Sequence, residues 1–259
     1  FWDTVCLFGY LVLNIVIGWK TLMLEQQGCA PPRWVKGLAY LSIPWAFSIH
    51  TVTAFLYSGL AGRPFWHTAV LAPRFLASAF AAGPALLILL CLIVRKVTRF
   101  DPGERAIEKL AEIVTYAMVA NVFLFGVELF TVLYSGVHHH VIHFQNLFFG
   151  MDGQASPVAP FMWASVVMAA LSLVLLVNPR TRANPRLLVA GCLLVVGAIW
   201  IDKGAGMLTG GLSPSPFGKP SAYFPSWVEV LMGVGLYAFG AAVLTVLFKV
   251  AVSIKLESE

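Results

Sequence analysis

The sequence predicts an all-α integral membrane protein, and three observations carry that prediction. Of its 259 residues, 59% are hydrophobic and 11% charged, where soluble domains carry about 25% charge, and mean hydropathy is +0.83. Long apolar runs recur along the chain, at a length near the roughly 20 residues that a bilayer-crossing helix needs. Lysine and arginine segregate into alternate loops between those runs. Disorder and collagen are excluded, because 13% of the residues are aromatic and glycine follows no three-residue period.

About seven spans are predicted, at 3–24, 37–60, 69–95, 110–135, 157–178, 186–203 and 226–252, as a single transmembrane domain over 1–259. The third contains Pro73 and Pro84, so a kink is expected there. Residues 137–150 are too short and polar to cross and read as an interfacial helix or re-entrant loop. The glycine-rich 204–211 lacks the Lys-Ser/Thr of a phosphate loop and reads as external loop. The chain opens on Phe1 inside an apolar run with no charged leader or small-residue cleavage site. The expectation is therefore no signal peptide, and helices that precede residue 1. Cys6, Cys29, Cys91 and Cys192 form no CxxC pair; neither a disulfide nor a cysteine-ligated cluster is expected.

Orientation follows from the 17 basic residues. Thirteen fall on one side: Lys20, Arg33, Lys36, Arg95, Lys96, Arg99, Arg105, Lys109, Arg180, Arg182, Arg186, Lys249 and Lys255. Only Arg63, Arg74, Lys203 and Lys219 fall on the other. The positive-inside rule assigns the first group to the cytoplasm, with residue 1 outside and the C-terminus inside. The net charge of +5 is then a topology signal, and no nucleic-acid partner is implied. The external loops 61–73, 136–156 and 204–226 are rich in Gly, Pro, His and aromatics. Such loops suit protein docking or cover for a ligand mouth, or they merely cap the helices.

Each titratable side chain in a span costs about 3 kcal/mol or more and calls for an explanation. His50, in the second span, has three readings: a quinone head-group ligand and proton acceptor, a histidine bonded to a neighbouring helix, or a heme ligand. Glu128 shares a helix face with Asn121 and Ser135 at seven-residue spacing. It reads as a proton relay or as a protonated acid bonded between helices. Asp202 and Glu229 lie near the outer interface, where a local ion pair, as between Asp202 and Lys203, competes with a relay role. Arg74 could hold an anion or quinone head group, or snorkel. Asn14 faces His50 or bonds backbone. His138, His139, His140 and His143 suggest a metal site, but only Asp152 stands near as an acidic partner, and no metal is expected. A multiheme cytochrome b is disfavoured, since only His50 is clearly inside a span.

Several stretches together resemble one family. Trp66-His67-Thr68, Leu71, Pro73, Phe75-Leu76, Ser78-Ala79 and Gly83 are similar to the WHT..L.P.FL.SA...G pattern of the NrfD/polysulfide-reductase membrane subunits. Glu128 with Tyr134-Ser135-Gly136 resembles that family's E.....YSG helix end. The tract His140 to His143 with Leu147 to Gly150, and Trp200 to Gly204 with Pro214-Ser215-Pro216, Pro225, Trp227 and Glu229, resemble its long-form members. Within these the DsrP type of sulfur-metabolism complexes is most alike, and the HybB and Act types are related. The set runs from about Pro44 to the C-terminus.

The resemblance implies a NrfD-like fold of helix bundles with ten helices, of which these would be the last seven, in a prokaryotic cytoplasmic membrane. It implies a heme-free subunit without iron–sulfur clusters that binds a quinone, menaquinone or ubiquinone. Electrons would be exchanged with an external, periplasmic-side iron–sulfur protein, alongside other membrane and cytochrome subunits. Quinone binding is expected at His50, Arg74, Tyr57 and Asn14, and a proton relay at Glu128, Asn121, Tyr134, Asp202 and Glu229. Asp202 stands where relatives often have glutamate, and Tyr57 and Ser58 stand where Act-type relatives carry an acid. Alone, the chain should catalyse nothing. Two other classes remain open: a proton-coupled secondary transporter using Glu128 and Asp202, and a structural anchor without quinone binding.

Overall fold

The computed structural model describes residues 1–98, 100–151, 153, 155–213 and 225–258, the last four without their side chains. Asp152, Arg99, Lys219 and the Pro214-Ser215-Pro216 motif lie outside the described residues. The described chain is helical in the order α1 (Trp2–Gln26), α2 (Arg33–Ser58), α3 (Leu71–Val97), α4 (Glu104–Ser135), α5 (His138–Phe148), α6 (Ala159–Val177), α7 (Pro179–Arg182), α8 (Pro185–Ile201), a π-helical turn (Asp202–Gly206), α9 (Met207–Leu212) and α10 (Trp227–Ser258). Seven helices among the described residues are long and apolar enough to cross a membrane, the sixth running from Pro185 to Leu212. The protein is a multi-pass membrane protein.

Helix ends follow from local chemistry. Asn178 and Asn184 cap α7 and α8, each accepting from an amide two residues on at 3.0 Å, with proline at the first helical position, where its missing N–H costs nothing. Gly136 stops α4 at φ +61°, a left-handed cap that glycine adopts without strain. This accounts for the glycine of Tyr134-Ser135-Gly136. Ser226 and Glu229 form a reciprocal cap before α10. The Ser226 amide donates to Glu229 Oε2 at 2.6 Å, and the Glu229 amide donates to Ser226 Oγ at 3.4 Å. Helix α3 continues unbroken through Pro84 to Val97.

Two compact units emerge. Phe1–Val52 and the C-terminal helix form one, and Thr53–Tyr223 the other. In the first, α1 runs against α10, and Trp45 Nε1 donates to the Cys6 carbonyl at 2.9 Å. In the second, α3 packs along α4, α6 along α8, and α3 also along α8. Small side chains make that possible. Ser78, Ala81, Ala85, Ala111, Ser165, Ser172, Gly191, Cys192 and Ala198 are all buried, and small residues let helices approach closely where lipid supplies no hydrophobic drive. Ser165 Oγ bonds the Ala198 carbonyl at 2.9 Å, tying α6 to α8.

One expectation needs correcting. Residues 204–211, expected as external loop, continue the sixth span as the π-helical turn and α9. Three of their four glycines serve close packing. A Cβ on Gly206 would stand 2.8 Å from Met162, and one on Gly210 would stand 2.7 Å from Phe65 and 2.8 Å from Leu147. At Gly211 a Cβ would fall inside the indole of Trp66. Composition suggests a loop; the reason for these glycines is backbone approach.

Candidate functional site

Arg74, one turn into α3, is buried, with a relative exposure of 5%. It reaches two carboxylates far away in sequence. Its Nη1 donates to Glu128 Oε2 of α4, and its Nη2 donates to both oxygens of Asp202 in the π turn at 3.0 Å. Lys203 Nζ lies 3.4 Å from Asp202 Oδ2 and 5.0 Å from the Phe75 ring centroid, while the Arg74 guanidinium sits 5.0 Å from that of Phe125. Two cations and two carboxylates thus form a quartet of zero formal charge, Arg74 and Glu128 buried and Asp202 and Lys203 half-buried, the arrangement in which ions tolerate low dielectric. The π turn contributes directly, because its residues Asp202 and Lys203 are both members of the quartet.

Two polar atoms beside this quartet have no partner among the described residues: Arg74 Nε and Asn121 Oδ1. Both residues line a cavity of about 210 Å³ between α4, α6 and α8. Met118, Phe125, Met162, Val166, Leu173 and Ile199 make its walls largely apolar, and Asp202 reaches its rim. A second hollow, of about 10 Å³, touches Arg74, Glu128, Asp202 and Lys203. It holds no more than about one water.

The structure brings together Arg74, Glu128, Asn121 and Asp202, residues expected in two separate groups. Of the others, Tyr57 and Tyr134 belong to the same unit as this cluster, and Asn14, His50 and Glu229 to the first unit. Tyr134 is exposed near the end of α4 and stacks on Phe130 at 5.4 Å. Glu229 caps α10. Asn14 is exposed, its amide donating to the Tyr10 carbonyl at 2.8 Å. Tyr57 is half-buried, its ring 4.9 Å from Trp66 and 6.3 Å from Phe75. His50 is half-buried in the first unit, and its imidazole has no hydrogen-bond partner among the described residues. Lys203, read from sequence only as a local partner of Asp202, also belongs to the quartet, and its adjacency to Asp202 is the available signal.

Below the quartet the 61–70 segment, α5 and α9 interlock. Trp66 Nε1 donates to the Met207 carbonyl at 2.8 Å, and Arg63 Nη1 to that of Leu212 at 3.2 Å. Buried His143 bonds the Ser213 carbonyl through Nδ1 at 3.3 Å, and Asn146 bonds the Ser213 hydroxyl. Burial holds the His143 imidazole below its ordinary value, against the raising effect of the Ser213 and Gly210 carbonyls. The remaining histidines of that tract are exposed or half-buried. Among the described residues, no group of three or more His, Cys, Asp or Glu is arranged to hold a metal.

The family model of polysulphide reductase, NrfD, matches residues 1–201. The chain belongs to this family. Similar proteins include one provisionally named as a membrane subunit of dimethyl sulfoxide reductase, from Halobacterium salinarum, 24% identical over 93% of this chain and 62% of that one. Another is the Hdr-like menaquinol oxidoreductase integral membrane subunit of Archaeoglobus fulgidus, 22% identical over 92% of this chain and 61% of that one. A third is a selenate reductase subunit of Mesobacillus selenatarsenatis, 25% identical over 46% of this chain and 27% of that one. The chain thus spans about three-fifths of the length of the first two relatives. In this NrfD-family chain the Trp66 to Gly83 pattern has a structural meaning. Trp66 pins α9, Leu71 is buried beneath it, and Ser78 lies buried one turn after Arg74 enters the quartet.

Proposed function

We propose that this chain is the heme-free, quinone-reactive membrane subunit of an oxidoreductase complex in a prokaryotic cytoplasmic membrane. It exchanges electrons between the quinone pool, menaquinone in the DsrP-type sulfur-metabolism reading, and an iron–sulfur partner on the periplasmic side, with its C-terminus in the cytoplasm. Family membership supports the reading, as do three relatives whose names place them in different reductases or oxidoreductases, one of them a menaquinol oxidoreductase. The observation that carries it is the Arg74–Glu128–Asp202–Lys203 quartet within the spanning helices. An anchor needs no four charges among spanning helices, each costly there, whereas quinone chemistry needs groups that take and release protons.

A bound quinone supplies two-electron, two-proton redox chemistry. Residues that could serve such a group are present: an apolar cavity with two unpartnered polar atoms in the second unit, and in the first a half-buried imidazole, His50, without a hydrogen-bond partner among the described residues. His50 is the proposed head-group ligand, holding or releasing one proton at a ring nitrogen, with Tyr57 and Asn14 as lesser contributors. Arg74 holds and orients Glu128 and Asp202, and uptake of a proton by either carboxylate leaves the quartet with a net positive charge, which favours passing that proton on. Asn121 sits two turns before Glu128 on the same face and extends the relay towards the cavity; Tyr134 and Glu229 are the further relay residues proposed.

A second reading is favoured by the two orphaned atoms: the head group sits in the α4–α6–α8 cavity, on Arg74 Nε and Asn121. Titrating the purified complex with a quinone-site inhibitor separates the two. Under the first, His50→Ala weakens binding at least about tenfold, the worth of one hydrogen bond to a charged or polar head group, and Asn121→Leu leaves it unchanged. Under the second, the two variants exchange behaviour. No saturable binding by wild type removes both and leaves an anchor or a proton-coupled transporter.

A further inference from the structure

A larger cavity, of about 430 Å³, lies at the opposite end of the same bundle. The last turn of α3, the first three turns of α4 and the α7–α8 corner enclose it. Its lining mixes two chemistries: apolar Leu92, Ile107 and Leu188, and charged Arg95, Arg182, Glu104, Glu108 and Glu112. Part of that charge is already satisfied. Arg182 donates to the Leu176 carbonyl at 3.2 Å and lies 4.0 Å from Glu112, which also accepts from Lys109 at 2.7 Å. Arg95, Glu104 and Glu108 form no ion pair among the described residues.

We infer that this cavity binds the head of an aminophospholipid, a phosphate ester carrying a primary ammonium. One uncommitted guanidinium matches one phosphate, in the charge-assisted geometry arginine favours. Glu104 and Glu108, the latter also in the field of Lys109 but neither in an ion pair among the described residues, match an ammonium with three N–H donors. A purely anionic head would meet those carboxylates unpaired, and a quaternary ammonium would offer them no donor. The apolar lining residues Leu92, Ile107 and Leu188 stand near the ends of three spanning helices, where glycerol and acyl carbons of a bilayer lipid would follow the head. Free phosphoethanolamine shares the head chemistry but not the chains, so the apolar lining favours the lipid. The site shares no lining residue with the quartet or its cavity.

Native mass spectrometry of the full chain in its complex, delipidated and then offered defined lipids, tests this. Wild type is expected to retain phosphatidylethanolamine at least about tenfold better than phosphatidylcholine or phosphatidylglycerol. Glu104→Gln with Glu108→Gln should abolish the preference over phosphatidylcholine while keeping binding. Arg95→Gln should weaken both lipids alike. These side chains sit at the helix ends, and an unchanged near-ultraviolet dichroism spectrum verifies that the variants fold. Equal retention of the three lipids by wild type overturns the inference, as does a preference untouched by either variant. Soluble phosphoethanolamine displacing the lipid at equal concentration would also overturn it.

Discussion

Arg74 shows how one residue can organise a membrane site. It holds Glu128 and Asp202, which lie 54 and 128 positions away in sequence, so no local spacing reveals the pairing. The sequence flags each as an ionisable group in or beside lipid, which makes all three candidates. What it does not disclose is that they are one group. Removing one member leaves a buried charge uncompensated, at a cost of about 3–5 kcal/mol. Arg74→Leu should therefore lower the thermal stability of the complex sharply, and the double change Arg74→Leu with Glu128→Leu should recover part of it. A double-mutant cycle on melting temperature checks this; additive losses would mean that the two side chains do not act together. Glu128→Gln keeps the shape and should slow quinone-linked proton uptake with inhibitor affinity unchanged, as a stopped-flow pH indicator would show.

His143 makes a second prediction at the same scale. Its folded value lies below the ordinary one, so the folded state binds fewer protons than the unfolded state in the intervening pH range. The stability it confers is present above the unfolded value near 6.5 and is lost as pH falls through the folded value. Protection factors across α5, corrected for the intrinsic exchange rate, should fall as pH drops below about 6.5, and His143→Gln should flatten that dependence. Protection independent of pH in the wild type would contradict it.

At the scale of the element, the sixth span carries the clearest lesson. Apolar periodicity locates its start, while four glycines within 204–211 read as a loop. Helix propensity disfavours glycine by about 1 kcal/mol each, a correct rule overridden here by tertiary contact. Gly206, Gly210 and Gly211 let Met162, Phe65 and Trp66 come against the backbone. The same continuation carries Asp202 and Lys203 on a π turn at the level of Arg74, where a helix ending at 203 would have left them at its frayed end. Gly211→Ala should thus cost about 1–3 kcal/mol by overpacking against a buried indole. Gly204→Ala, whose added carbon meets nothing within 4 Å, should be near neutral. Thermal melts of the two variants compare them directly, and equal melting temperatures would refute the packing account.

At the scale of the molecule, hydropathy and length are enough to find seven spans, because lipid demands long apolar helices and offers few alternatives. The short helix α5 is legible for the same reason: a polar eleven-residue segment has to lie outside the hydrocarbon. Less legible is the division of labour within the bundle. Small residues at the α3–α4 and α6–α8 seams look like any apolar run in sequence, yet they set the helix spacing and with it the 210 Å³ cavity. The charge quartet sits towards one end of this bundle, and the larger charged cavity lies at the other. The proposed quinone-linked role uses the first of these.

The most direct test is fluorescence titration of the purified complex with a quinone-site inhibitor, in wild type, His50→Ala and Asn121→Leu. Saturable binding by wild type that is weakened at least about tenfold in His50→Ala is the result expected. Absence of saturable binding in the intact wild-type complex would contradict the quinone assignment itself.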